Sequence, residues 1–322
     1  MTSPRISIIM PLYNRAWCIE ACLESISLGR EGAELVIVDD GSTDASVAKV
    51  GETAARLGIA DRVTLIEQQN AGPSAARNRA AQAARGEWLV FLDSDDLWLP
   101  WTLPAVLDVL SAAAPEVDLA FLAGRNFSDP TELAGLSEDR TSTALHKDFV
   151  TAVQRNPASR YGACNAAIRR RAFLDLGGFE PSLRCAEDTD LFLRVPGRVL
   201  FVAAPVLVGL RRSGHDSLTG NALEVARGYR WLIGQAPSGR YVGQAGLVAS
   251  FLANSCAYSI RTAFAAGHPG LAYRLYFRNI RRLYDARTRK YVLRLPLTPL
   301  LHLVRPKAYP FRWSPVSRKA GR

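Results

Sequence analysis

The chain has 322 residues, 48% hydrophobic and 22% charged, which excludes a disordered or fibrous protein and allows one large domain with a smaller appendage. Five scattered cysteines (Cys18, Cys22, Cys164, Cys185 and Cys256) form no Cys-x-x-Cys pair, which argues against a disulfide framework and for a reducing compartment. The net charge of +10 is segregated: residues 270–322 hold fourteen Lys and Arg against one acid, Asp285, leaving 26 basic and 29 acidic residues before them. A near-neutral body with a basic tail points to an anionic surface such as membrane headgroups, nucleic acid or another polyanion; a solvated basic helix face is the plainer alternative. The N-terminus runs from Pro4-Arg5 straight into an apolar segment with no leader pattern.

The first hundred residues alternate two periodicities. Ile6 to Met10 is a short apolar run, and Ala16 to Leu28 spaces Ile19, Leu23 and Ile26 as a helix does. Leu35 to Val38 is β-branched, Asp44 to Leu57 is helical, Val63 to Ile66 is strand-like, Pro73 to Arg85 is an Ala-rich helix, and Trp88 to Leu92 is the next strand. This rhythm predicts an α/β fold with a Rossmann-like, mostly parallel sheet flanked by helices. Pro100 to Leu122 adds a helix and a strand, residues 124–145 read as a polar loop over the crevice, and Val199–Val202 and Val206–Leu210 close the pattern. The expected domains are a catalytic one over 1–217, with a nucleotide half of about 1–98 and an acceptor half of about 99–217, and a helical, basic extension over 218–322. Within that extension Ala245 to Ala266 is helical but interrupted by Asn254 and Arg261, too short in its uncharged core to span a bilayer. Leu271 to Leu283 mixes Leu, Tyr and Phe with Arg274, Arg278, Arg281 and Arg282, as a helix lying on a membrane surface does.

Ligands of open parallel sheets gather at the carboxyl ends of the strands. Here those ends carry Pro11-Leu12-Tyr13-Asn14, Asp39-Asp40-Gly41-Ser42-Thr43-Asp44, Asn70-Ala71-Gly72-Pro73 with Arg77 one turn on, and Asp93-Ser94-Asp95-Asp96. Three carboxylates in four positions after a buried strand need a cation, and hard oxygen ligands suit Mg²⁺ or Mn²⁺; the same turn could also cap the next helix. If the strand continues through Ser94, Asp93 and Asp95 share a face, one for a ribose and one for a metal. Asp40 can accept hydrogen bonds from a base or a ribose, or belong to a helix cap. Arg77 is a phosphate or base contact, or an ordinary surface arginine. Glu187-Asp188 opens a helical segment and is the candidate general base, with the helix dipole expected to keep Asp188 ionised; a plain capping acid is the alternative.

The set ISIIMPLYN (Ile6–Asn14), LVIVDDGSTD (Leu35–Asp44), NAGPSAARN (Asn70–Asn78), GEWLVFLDSDD (Gly86–Asp96), GGFE (Gly177–Glu180) and AEDTDLFLR (Ala186–Arg194), in this order, resembles glycosyltransferase family 2, of the GT-A fold. The resemblance implies an inverting transferase dependent on Mn²⁺ or Mg²⁺ that uses a nucleotide-diphospho-sugar. It assigns the nucleotide-sugar to Pro11, Tyr13, Asn14, Asp40, Arg77 and Asp93, the metal to Asp95 with Asp96 as a second candidate, and the acceptor proton to Asp188 beside Glu187. Many members carry a histidine before a Ser-x-Ser or Ser-x-Thr segment after the last strand. Here that stretch reads Arg211-Arg212-Ser213-Gly214-His215-Asp216-Ser217-Leu218-Thr219, which puts His215 unusually close to Ser217 and makes Arg211 and Arg212 alternative diphosphate contacts. The expected acceptor is a glycan or lipid-linked glycan, at the cytoplasmic, inner face of a membrane that the basic tail holds through anionic lipid; nucleic acid is not expected as a partner. The rival reading is a non-catalytic nucleotide-sugar or polyanion binder on the same fold.

Overall fold

Four parallel strands, β1 (Ile6–Leu12), β2 (Ala33–Asp39), β3 (Val63–Glu67) and β4 (Trp88–Phe91), alternate with helices α1 (Ile19–Ile26), α2 (Ser46–Arg56) and α3 (Pro73–Ala83). The computed structural model describes residues 4–28, 32–156, 159, 161–211, 221–243 and 245–283. Every residue of β2 and β4 is buried, as strands covered on both faces require. Then come β5 (Leu97–Trp98), α4 (Thr102–Ser111), β6 (Val117–Phe121), β7 (Gly124–Phe127), β8 (Ser142–His146), α5 (Phe149–Arg155), β9 (Ala166–Arg169), α6 (Arg170–Asp175), α7 (Glu187–Arg194), β10 (Arg198–Ala204) and β11 (Val208–Arg211). The main sheet has the order β3-β2-β1-β4-β9-β6-β10-β8, with β9 and β8 antiparallel to their neighbours; a small sheet has the order β5-β11-β7.

Two close approaches explain glycines in the sequence motifs. A Cβ on Gly86 would lie 2.6 Å from the Ile6 carbonyl carbon and the Ser7 nitrogen, so only glycine lets the chain enter β4 beside β1. Gly178 has φ +71°, and a Cβ there would lie 2.4 Å from Asn78 Oδ1. That closeness lets Asn78 clamp the following residue: its Oδ1 accepts from the Phe179 amide and its Nδ2 donates to the Phe179 carbonyl, both at 2.9 Å. Phe179 then packs with Phe173 against Phe91 of β4, with ring centroids 5.2–5.6 Å apart.

The expected loop over 124–145 is corrected. It contains β7, with Phe127 fully buried, and the start of β8, which pairs antiparallel with β10. β8 is an edge strand with largely exposed side chains, so it lacks the apolar alternation that marks a strand in sequence.

The chain divides into two units, one of Met1–Ala152, Ser159–Ser182 and Glu187–Gly214, the other of Val153–Ala158, Leu183–Ala186 and His215–Arg322. In the second, α9 (Ala245–Ala265) packs against both α8 (Ala222–Gln235) and α10 (Pro269–Leu283). Asn221 caps α8 by accepting from the Leu223 and Glu224 amides. Along α10, Ala272, Leu275 and Tyr276 are buried, whereas Arg274, Phe277, Arg278 and Arg281 are exposed. Among the described residues no helix is long and apolar enough to cross a membrane.

Candidate active site

The loops after β1, β2 and β3 are knitted together by the polar residues of the sequence motifs. Asp40 is buried, and its carboxylate is already engaged: Oδ1 accepts from Gln68 Nε2 and the Ala71 amide, and Oδ2 from the Gly72 amide, all at 2.8 Å. Asn14, at φ +50°, accepts from the Thr43 amide at 2.8 Å, while its own amide donates to Ser42 Oγ at 2.9 Å. Asp44 receives the amides of Ala16 and Ser46. Tyr13 stays 45% exposed at the rim, and Pro11 lies half-buried within β1.

β4 ends at Phe91, and Asp93 to Asp96 form a turn in which the Asp96 amide donates to the Asp93 carbonyl at 3.0 Å. The condition for Asp93 and Asp95 to share a strand face, a strand running through Ser94, is therefore not met, and the two carboxylates meet different arginines. Asp93 Oδ1 accepts from Arg77 Nη2 at 2.6 Å, whereas Asp95 Oδ2 lies 3.6 Å from Arg15 Nε. Asp96 Oδ1 accepts from the Arg211 amide at 2.7 Å. Ligand atoms of Asp93, Asp96 and Cys164 lie within 4.8 Å of one another. Burial, helped by Asp93, raises the Asp95 pKa and drives that of Asp96 well above the ordinary carboxylate range; burial does the same to the Cys164 thiol.

Arg77 is not a surface arginine. It is 5% exposed, and its Nη1 lies 3.6 Å from Glu187 Oε1 while Nη2 holds Asp93. Burial alone would lower its pKa; the Asp93 and Glu187 carboxylates raise it instead, so it stays charged. One buried guanidinium thus joins the acidic turn after β4 to the start of α7. Its Nε has no hydrogen-bond partner among the described residues.

α7 itself is fixed from its far end. The buried pair Asp190–Arg194, 2.9 Å apart at i,i+4, spans its middle. Arg194 also donates to the carbonyls of Leu176 and Gly178 at 2.6 Å, closing the carboxyl end of α6. Asp188 bonds the Thr189 amide at the first turn. Burial, reinforced by Asp188, pushes Glu187 up to about 7. Asp188 is raised as well, chiefly by burial; bonds from the Thr189 amide and hydroxyl only partly offset this. Burial thus works against the ionised form of Asp188, while the Thr189 amide and hydroxyl support it.

The structure therefore brings together Asp93, Asp95, Asp96, Arg77, Glu187, Asp188 and Arg211. Arg211 donates from Nε to the Asp95 carbonyl at 3.0 Å, and its guanidinium lies over the rings of Trp17 (5.2 Å) and Phe127 (4.7 Å). Arg212 and His215 lie outside the described residues. Sequence reasoning missed Arg15, Trp17 and Cys164 as members of the cluster. Arg15 adjoins a motif residue, Asn14, but nothing in the sequence announces its pairing with Asp95.

The profile of glycosyl transferase family 2 matches residues 7–177, just over half of the chain. The chain belongs to this family. Putative glycosyltransferase EpsH of Bacillus subtilis is 34% identical over 150 residues, 46% of this chain and 41% of EpsH. The succinoglycan biosynthesis protein ExoO of Rhizobium meliloti is 32% identical over 200 residues, 58% of this chain and 53% of ExoO. The chain thus covers about half of the length of these relatives. Among solved structures, Staphylococcus aureus TarS 1–349 superposes with TM-score 0.60 at 17% identity, over 94% of this chain and 87% of that one. The mannosyltransferase PcManGT of Pyrobaculum calidifontis, in complex with GDP-Man and Mn²⁺, superposes with TM-score 0.54 at 20% identity, over 95% of this chain and 89% of that one. The main sheet with its flanking helices is the GT-A fold of these neighbours.

Proposed function

We propose that the protein is an inverting glycosyltransferase that moves a sugar from a nucleoside-diphosphate donor to a hydroxyl of a glycan or lipid-linked glycan. One observation carries the reading: Arg77 ties the carboxylates after β4 to Glu187 beside Asp188, so a donor-side and an acceptor-side acid group share one desolvated cluster. The donor class is supported by PcManGT with GDP-Man and by TarS, also known with UDP-GlcNAc. A glycan acceptor is supported by ExoO.

In this reading Tyr13 offers a ring to the base, and Pro11, Asn14 and Asp40 shape the nucleotide loops. Because both Asp40 oxygens are engaged, Asp40 acts chiefly by holding those loops. Asp93, steadied by Arg77, faces the ribose. Asp95, with Asp96, would hold Mn²⁺ or Mg²⁺: the donors are hard oxygens, and burial outweighs the arginines beside both carboxylates, which a further cation would relieve. Such an ion supplies charge neutralisation for the departing nucleoside diphosphate. Asp188 accepts the proton of the acceptor hydroxyl as its oxygen bonds to the anomeric carbon and the bond to the donor phosphate breaks. Peripheral binding to an anionic, cytoplasm-facing membrane belongs to the same reading, supported by Arg274, Arg278 and Arg281 around exposed Phe277 on α10. The basic tail beyond residue 283 lies outside the described residues.

The test is turnover of nucleotide-sugars with and without Mn²⁺ or Mg²⁺, in wild type, Asp95→Ala and Asp188→Ala. Loss in both variants supports the mechanism; full rate in both with the preferred donor defeats it.

A further inference from the structure

Three arginines reach the acidic turn after β4, and two of them are committed. Arg77 is buried between Asp93 and Glu187, and Arg211 is bonded to the Asp95 carbonyl and stacked between two rings. Arg15 differs. Its side chain is 30% exposed and stands 3.6 Å from Asp95 Oδ2, near enough for charge attraction and too far for a good hydrogen bond. Its Nη1 donates to the carbonyls of Tyr13 and Asn14 at 3.2 Å, a tether that holds the cation beside the acidic turn. The Arg15 amide donates separately to Ser46 Oγ at 2.7 Å, a backbone bond that does not involve the guanidinium.

We propose that Arg15 is a built-in placeholder for the divalent cation at Asp95, a guanidinium that neutralises this carboxylate in the metal-free protein and must swing outward when a metal binds. The proposal rests on the metal reading above and deepens it. A guanidinium and a divalent ion repel each other at one carboxylate, so each weakens the other's hold by the same factor. Arg15 thereby sets the resting metal affinity lower than the carboxylates alone would give.

The test is Mn²⁺ binding to the full chain, read from the electron paramagnetic resonance signal of free Mn²⁺, with melting temperatures in EDTA and in saturating Mn²⁺. Arg15→Gln is expected to bind Mn²⁺ about two- to fivefold more tightly, the range for one partly exposed ion pair. Arg15→Lys keeps the charge and stays near wild type. In an Asp95→Asn background the Gln substitution gains nothing. Arg15→Gln should also melt lower than wild type in EDTA, with the gap closing in Mn²⁺. If Asp95→Asn weakens Mn²⁺ binding while Arg15→Gln leaves it unchanged or weaker, the placeholder is overturned and the metal reading stands. An equal gain in Arg15→Lys overturns it too, since charge is then not the cause. Absence of Mn²⁺ binding in wild type and Arg15→Gln alike defeats both.

Discussion

Glu34 at the amino end of β2 and Asp96 after the carboxyl end of β4 are each 4% exposed, yet their carboxyls are driven in opposite directions. Burial pushes Glu34 up, but Ser7 Oγ at 2.6 Å, the Arg85 amide at 2.7 Å and the Arg85 guanidinium more than offset it and hold the group below its ordinary range. Ser7 Oγ in turn receives the Gly86 amide at 2.8 Å, and the Arg85 side chain, 66% exposed, reaches solvent. At the other end of the same sheet, Asp96 has the Arg211 amide and, more weakly, the Arg211 guanidinium against two neighbouring acids, and burial wins. At one end of the sheet the donors around Glu34 outweigh its burial. The other concentrates carboxylates whose burial is not offset by the donors and arginines beside them. A buried acid alone therefore does not mark a site; a buried acid without enough donors does.

Breaking the carboxylate-rich end, the upper one with the Glu34 end as the lower, should cost catalysis. Asp188→Asn is expected to lower kcat by about 10²–10⁴-fold, the range for losing a general base, with little change in donor affinity; steady-state kinetics with a defined donor check this. Breaking the lower end should cost stability and spare chemistry. Glu34→Gln is expected to lose about 1.5–3 kcal/mol at pH 7 by urea unfolding, because charge-assisted bonds become neutral ones. The sign with pH is fixed by the lowered carboxyl: the extra stability of wild type is present above the unfolded pKa of about 4.3 and is lost as pH falls through the folded value. The gap between wild type and Glu34→Gln should close in acid.

The sheet was legible in the sequence because it is written in local patterns, whereas the Ser7–Glu34–Arg85 cluster, whose members lie 27 and 51 positions apart, was not. Buried parallel strands read as unbroken apolar runs, and turn residues sit at their ends. The acids of the upper end were legible as motifs too. What was not legible were the partners: Arg77 with Glu187 and Arg15 with Asp95 join residues 110 and 80 positions apart, and no local period records such pairs. The bonds that hold Asp40 were not legible either, because the amides that engage it come from another loop. β8 was missed because an exposed edge strand carries no apolar alternation.

Glu187 sharpens the contrast, since its carboxyl titrates near neutrality at about 7. It is raised, so it gains its proton as pH falls through that value, and Arg77 then loses one of its two partners. The transfer rate should fall roughly tenfold between about pH 8 and pH 6. Glu187→Gln should flatten that limb, which a pH–rate profile at saturating donor reads directly.

The smallest effect expected is the most direct test of the idea that the upper end keeps charge at a cost to stability. Asp96 is raised, so the folded protein binds its proton more tightly than the unfolded chain. Its charge therefore destabilises the fold at pH 7, and the penalty disappears as pH falls toward the unfolded pKa of about 3.9. Asparagine keeps an Oδ1 for the Arg211 amide and removes the charge. Asp96→Asn should raise metal-free stability at pH 7 by about 1 kcal/mol while reducing transfer, the usual exchange between stability and activity at a functional site. A melting temperature in EDTA that falls instead would mean that Asp96 is already neutralised within the fold, as Glu34 is, and the two ends of the sheet would no longer differ in kind.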